Sequence, residues 1–481
     1  MKHVIKSVGL GMTAFCLLPI ESSTQEKPNI LWIMADDMGT DLGCYGNKSV
    51  KTPNLDKLSS EGITFTRAFT VTPVSSPSRS SLITAMYPVS IGCHQHRTRN
   101  KTSLPVGVLP ITEYFRHAGY YVCNGDGTRL KRPGKTDYNF TFADKPIFDG
   151  PDWSARKPGQ PFYAQLQIQY PHRPFKKDTL HPVDRSTVLI PPVYPDHPVT
   201  REDWALYLES VQLVDKYVGQ IMQRLEEEGL LNNTIVMFFS DQGRPMVRAK
   251  QFLYDDGTQI PLIVRFPDKK SAGIKTEDLV SVVDIPATSL KLAGIRLPET
   301  MQGQDIFSDK KRKFVFSSRD RMDETVDRMR SIRSNKFKYI INFYPDRPYT
   351  QFNTYKKTMY PVLTLMKVLY SQGRLTPEQS LFMASERPAE EFYDLVKDPF
   401  EMKNEANNPN FTIEKERMRK ELVKWLEVND KGAYPEDQAE VGFWKNDAEQ
   451  AYQKKMKSYG LPVDISDEDY LKWWEIQLNL N

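Results

Sequence analysis

The sequence predicts an α/β protein: a large mixed, mostly parallel sheet flanked by helices, then a smaller C-terminal α+β subdomain. Three observations predict it. Residues 29–35 and 234–239 are nearly unbroken apolar runs, as strands buried on both faces of a parallel sheet are, and an aspartate closely follows each. Residues 201–228 carry apolar side chains at spacings of three and four, which is the pattern of a long amphipathic helix. From about Lys310 the texture changes to short alternating segments, as in half-buried antiparallel strands. A chain of 481 residues has room for both parts, and we place them at 25–309 and 310–481. The net charge of only +4 creates no field for a polyanion, so no nucleic-acid partner is expected. The basic run Lys310-Lys311-Arg312-Lys313 reads as solvated loop charge.

At the start, Lys2, His3 and Lys6 precede an apolar run over 8–20, the form of an export signal and too short to span a bilayer as an ordinary helix. A signal over 1–24, cleaved between Leu18 and Gln25, implies a periplasmic or extracellular protein. The residues before Cys16 make no lipobox, so lipoprotein anchoring is not expected, and no other stretch reads as a membrane span. Once the signal leaves, Cys44, Cys93 and Cys123 remain. That odd number permits at most one internal disulfide, and buried free thiols are expected.

The first buried strand ends in Asp36-Asp37, at the sheet edge where open α/β folds bind ligands. Adjacent carboxylates there repel unless a cation or proton lies between them, although an Asp pair also suits a turn with Met38-Gly39. Ser75 opens a hydroxyl-rich turn leading into a helix, whose unpaired N–H groups and dipole favour anions. Arg79 lies one helical turn on and faces Ser75. A capping turn beside a solvated arginine has the same composition. His94, His96, Arg97 and Arg99 form a polar cluster that reads equally as solvated loop or as substrate contact. Residues 109–118 have helical spacing stopped by Gly119, residues 120–123 and 161–168 suit strands, and His172 follows the latter. Imidazole titrates near neutrality and so suits general acid work. The strand over 234–239 leads to Asp241-Gln242. If it neighbours the first strand, hard oxygens converge on one point, a set that suits Ca²⁺ or Mg²⁺ better than zinc. Short strands are expected at 314–316, 330–333 and 337–342, and the tail after Asp430, rich in Trp and Tyr, reads as a cap.

Ser75-x-Pro77-Ser78-Arg79 followed by Leu82-Ile83-Thr84-Ala85 resembles the signature of the formylglycine-dependent, serine-type sulfatases of the alkaline phosphatase superfamily. It departs once, with Ala85 where glycine is usual. Further segments match in order: Ala35-Asp36-Asp37-Met38-Gly39, Thr52-Pro53-Asn54-Leu55-Asp56, Gly134-Lys135, Lys250-x-x-x-Tyr254-Asp255-x-Gly257, and Glu391-Phe392-Tyr393-Asp394-Leu395. The resemblance implies an alkaline-phosphatase-like fold and a Ser75 oxidised to formylglycine by a serine-type maturation enzyme. It implies a metal held by Asp36, Asp37, Asp241, Gln242 and residue 75. The hydrated aldehyde would attack sulfur, Arg79 would steady it, Lys135 and Lys250 would bind sulfate oxygens, and His172 would protonate the leaving alcohol. Asp137 stands where the family has a histidine, and a carboxylate there would repel a sulfate unless it is protonated or paired with Lys135 or Arg79. Export and the loop of His94, His96 and Arg97 favour a sulfated glycan as substrate. The segment Arg319-Asp320-Arg321-Met322-Asp323, with Arg319 and Asp320 foremost, is placed to reach the active-site rim and hold a sugar. Two rival functions stand beside this one. A phosphatase or phosphodiesterase of the same superfamily would use unmodified Ser75, and a non-catalytic relative would only bind glycans.

Overall fold

A computed structural model describes residues 1, 27–142, 146–432 and 437–480. Apart from Met1, the expected signal lies outside the described residues. Among them no helix is long and apolar enough to cross a membrane.

In chain order the strands of the main sheet are β1 Asn29–Asp36, β2 Ile63–Phe69, β3 Tyr121–Gly125, β4 Phe162–Pro171, β5 Thr234–Ser240, β6 Gln259–Arg265, β7 Ile274–Thr276 and β8 Val280–Ser281. They run in the order β3-β4-β1-β5-β6-β2-β7, with β8 also on β2. All pairings are parallel except those of β6 with β5 and β2. β1 is therefore central, and the two strands that end at aspartates are hydrogen-bonded neighbours in register from Asn29↔Thr234 to Ala35↔Ser240.

The two-residue period of β1 builds two cores. Ile30, Trp32 and Met34 join one cluster, while Leu31, Ile33 and Ala35 join the other. Trp32 is fully buried, donates its indole N–H to Ser289 Oγ at 2.8 Å, and meets Tyr163 and Phe239 edge-on. Against the opposite face lies the long helix Pro198–Glu227. It starts three residues before the spacing suggests, because Pro198 supplies a pre-set φ at N1 and His197 Nδ1 accepts from Val199 N. β4 also departs from expectation. It forms the expected strand but runs on to Pro171, and the polar residues of its alternation, Gln165 and Gln167, are buried and hydrogen-bonded.

A second, antiparallel sheet follows, with β9 Val315–Arg319, β10 Met329–Arg333, β11 Phe337–Asn342 and β12 Glu390–Asp394 in the order β12-β11-β10-β9. Helices Gln438–Tyr459 and Asp467–Gln477 form the aromatic tail. The basic run at 310–313 is not all solvated. Arg312 is clamped on Asp284 by two bonds of 2.5 Å, and Lys311 pairs with Asp278 at 3.1 Å. Cys44, Cys93 and Cys123 are free, the last two buried.

Candidate active site

The parallel register of β1 and β5 brings their C-terminal ends together. Asp36 opens a register shift against β4, and Asp37 then takes a left-handed φ of 67°, which turns the chain out of the strand. Asp37 N donates to Asp241 Oδ1 at 3.1 Å. Asp36, Asp37 and Asp241, all buried, bring oxygens within 4.8 Å of one another.

Helix Ser75–Thr84 points its N-terminus at this cluster. Ser75 Oγ donates to Asp36 Oδ1 at 3.3 Å and lies 3.3 Å from Lys135 Nζ. Arg79, one turn on, is 2% exposed. Its Nε donates to Asp241 Oδ2 at 2.9 Å, Nη2 lies 3.4 Å from Asp36, and Nη1 donates to Gln167 Oε1 at 2.7 Å. The helix ends at Ala85, whose φ of 56° is left-handed. That conformation, more than side-chain size, explains a preference for glycine there.

Three cations answer three carboxylates. Lys135 Nζ bonds Asp36 Oδ2 at 2.8 Å, Lys250 Nζ bonds Asp37 Oδ2, and Arg79 bonds Asp241. Burial alone would raise the Asp36 carboxyl, but Lys135, Arg79, His172 and Lys250 together hold it well below the usual range. Burial pushes Asp241 up to about 6, against the pull of Arg79 and with the push of Asp36. Burial lowers Lys250, but Asp37 more than offsets it and the ammonium stays charged. His172 Nδ1 lies 2.6 Å from the Arg173 carbonyl, which fixes the proton on Nδ1 and turns Nε2 toward Asp37 at 3.8 Å. Burial and Lys250 lower its pKa, with Asp37 and Asp36 opposing.

The donor set fits a hard divalent cation. Three carboxylates converge, and Gln242 lies beside them with Nε2 on Asp37 and a buried Oε1 that has no hydrogen-bond partner among the described residues. Free thiols lie elsewhere in the fold, which leaves an all-oxygen set.

The structure thus gathers Ser75, Arg79, Lys135, His172, Lys250, Asp36, Asp37, Asp241 and Gln242 around one point. Other expectations need correction. Arg319 and Asp320 do not reach the rim. Arg319 is 1% exposed and paired with Asp327, and Asp320 is buried against Arg330. The same segment approaches the site three residues later, at Asp323. His94 and His96 are buried rather than presented to solvent. His96 N donates to the Arg321 carbonyl and its ring lies 3.7 Å from Asp323, so the loop is not solvated at these histidines, and of the three only Arg97 is exposed. Burial and the nearby cations Arg97, Lys250, Lys135 and Arg321 hold His96 well below its usual range, as a neutral ring. Asp137 finds its partner in Arg97, at 3.3 and 3.1 Å, not in Lys135 or Arg79.

Sequence reasoning missed Gln167, whose amide holds Arg79 on one side and Asn124 Oδ1 at 3.0 Å on the other. A glutamine inside a strand that both neighbours bury was the available signal. It also missed Tyr355, whose ring lies 5.8 Å from that of His172 and 5.2 Å from Lys250 Nζ.

Comparison with known proteins gives a consistent result. The family model described as Sulfatase matches residues 28–295, and one described as N-sulphoglucosamine sulphohydrolase, C-terminal, matches 246–372. An ulvan-active sulfatase of Formosa agariphila is 32% identical, with 88% of this chain and 79% of the relative covered. The N-sulphoglucosamine sulphohydrolase of Homo sapiens is 26% identical, with 82% and 89% covered. A protein solved in complex with its substrate D-glucosamine-2-N,6-O-disulfate shares the fold, with a TM-score of 0.62, 19% identity, and 84% and 99% of the two chains covered.

Proposed function

This chain belongs to the sulfatase family and is a sulfuric ester hydrolase, and from that premise we propose that it releases sulfate from a sulfated carbohydrate. It does so with a formylglycine made from Ser75 and a divalent cation, Ca²⁺ or Mg²⁺, held by Asp36, Asp37, Asp241 and Gln242. The observation that carries this reading is the position of Ser75, first residue of a buried helix, within 3.3 Å of both Asp36 and Lys135. The carbohydrate class is supported by the relatives, one active on ulvan and one named for N-sulphoglucosamine. A serine-type maturation enzyme is the partner this chemistry requires, and the basic and apolar start supports a periplasmic or extracellular location.

When present, the formylglycine hydrate supplies the nucleophilic oxygen and the cation polarises the ester. The chain's own side chains do the rest. Lys135 and Lys250 each bond one aspartate and keep N–H donors for the sulfate oxygens. Arg79 spans Asp36 and Asp241 and fixes the orientation of residue 75. The helix N-terminus adds its dipole to the neutralisation of the anionic ester. His172 keeps its Nδ1 proton on the Arg173 carbonyl and protonates the leaving alcohol through Nε2.

The test is the mass of the tryptic peptide 68–79 from protein made in its native host, paired with sulfate release from a panel of sulfated sugars. A peptide two hydrogens lighter than the serine form, with sulfate released, is the expected result. Unmodified serine in protein that turns over phosphate esters and no sulfate ester overturns the reading in favour of the phosphoesterase alternative.

A further inference from the structure

A cavity of about 450 Å³ adjoins the reaction centre, within the range of small-ligand pockets, roughly 300–1,000 Å³. Tyr355 is the shared wall, because it lines the cavity and packs beside His172 and Lys250. Since His172 is the residue that hands a proton to the departing alcohol, the cavity lies on the leaving-group side. Its far wall comes from helix Gln438–Tyr459, part of the aromatic tail. There Trp444 is half-buried and held in place. Its Nε1 donates to Glu440 Oε1 at 2.8 Å, and the Arg321 guanidinium sits 5.3 Å from its ring centre.

The charges of the lining are unusual for a pocket that must admit a sulfate ester. Asp323, Glu324 and Asp447 face it, against Arg97 and Lys455. Arg97 is engaged by both oxygens of Asp137, and Glu324 by Thr354 N and Asn353 Nδ2, which leaves Asp323 and Asp447 against Lys455. Lys455 lies 4.9 Å from the Tyr459 ring centre. The cations that would bind anions are instead concentrated at the reaction centre, on Arg79, Lys135 and Lys250. Aromatic rings with carboxylate acceptors suit the C–H faces and hydroxyl donors of a sugar. The same carboxylates repel a second anionic group.

We infer that this cavity takes the carbohydrate part of the substrate and selects for a sugar that is uncharged apart from the sulfate being removed, with Trp444 and Tyr355 as its apolar walls and Asp323 and Asp447 as hydroxyl acceptors. The inference rests on the sulfatase reading for the direction of the leaving group. It excludes, as good substrates, units whose neighbouring ring carries a carboxylate or a further sulfate at this position.

The experiment measures binding by calorimetry to the Ser75→Ala protein, which holds substrate without turning it over. Three ligands are compared: a hexose-sulfate disaccharide with a neutral second ring, its C6 uronate analogue, and its analogue with a second sulfate. We expect the neutral-ring disaccharide to bind at least about tenfold more tightly than either anionic analogue, a difference of about 1.4 kcal/mol. Adding Trp444→Ala should weaken the neutral ligand by about tenfold, while Asp447→Lys, on an exposed helix face, should bring the anionic analogues within about threefold of it. Equal or tighter binding of the anionic analogues to the Ser75→Ala protein, or no effect of Trp444→Ala, overturns the inference. Turnover of 4-nitrophenyl sulfate by the wild-type chain separately reports the sulfatase reading, so a binding preference without sulfate release would sink that reading and leave the charge selection standing.

Discussion

At the scale of single residues, the site is an exercise in charge compensation. Three buried carboxylates would be prohibitive alone, and Arg79, Lys135 and Lys250 each answer one of them. At this centre Gln242 Oε1 is a buried acceptor with no donor among the described residues. Ca²⁺ titrated calorimetrically into the apoprotein should therefore bind, and chelation should lower the melting temperature; saturation at a hundred times Kd stabilises a fold by about 2.7 kcal/mol. In Asp241→Asn both the heat of binding and the chelator effect should vanish, and their persistence would place the ion elsewhere. His172→Ala should separate substrates by leaving group. Loss of a general acid costs about 10²–10⁴ on a sugar sulfate, whereas an aryl sulfate leaves without a proton and should lose far less. Equal losses on both would remove His172 from that role. The thiols make a third prediction. Burial pushes Cys93 up to about 12, and burial with Asp56 does the same for Cys44. Both stay protonated at pH 8, and since the thiolate is the nucleophile, alkylation followed by mass spectrometry should be slow in the native protein and fast in urea.

At the scale of the element, glycine decides how closely segments approach. The Lys250 segment turns back on itself through Gly257, where a Cβ would lie 2.1 Å from the Ala249 carbonyl oxygen and 2.4 Å from that of Phe252. Both obstacles are backbone and cannot rotate away. Gly257→Ala must therefore displace the turn that carries Lys250. We expect destabilisation in the overpacking range, about 1–3 kcal/mol or more, in urea unfolding, together with a fall in kcat/KM. Unchanged stability and activity would show that the turn can shift freely. The same reasoning accounts for the glycine of this motif, for which composition gave no reason.

At the scale of the whole molecule, the two sheets are tied by buried charge. Lys338 on β11 pairs with Asp255 at 2.6 Å and Glu401 at 2.7 Å, and Arg333 on β10 pairs with Asp255 at 2.9 Å. Asp255 belongs to the segment that positions Lys250. Stripping one partner from a buried pair costs about 3–5 kcal/mol, so neither part unfolds cheaply while the other stays intact. The core containing Leu31 and Ile33 also runs on into Ile340, Tyr360 and Met366. We predict a single calorimetric transition in which 310–481 melts with the rest, and an insoluble or unfolded product from a chain ending at 309. Two resolved transitions would contradict this.

Local pattern marked where a site could lie, and the resemblance to the sulfatases supplied the roles of Ser75, Arg79, Lys135, His172 and Lys250. Buried strands announce themselves by apolar runs, and a strand end with aspartates marks a ligand edge because parallel sheets bind there. Ser75 and Arg79 sit one turn apart, a spacing that helix geometry fixes without any tertiary information. The tertiary structure alone decided which polar side chains face the centre. Arg319 and Asp320 looked like rim residues, and burial turned them into ion pairs of the second sheet. Gln167 sat in an alternating strand with no partner in view until Arg79 and Asn124 took up its buried amide. Asp137 met Arg97, and Trp444 arrived from a helix more than three hundred residues beyond Ser75. The physical reason is common to all four. Helix and strand periods specify which residues share a face, but which face meets a partner depends on packing between segments distant in sequence, and local periodicity carries no record of that choice.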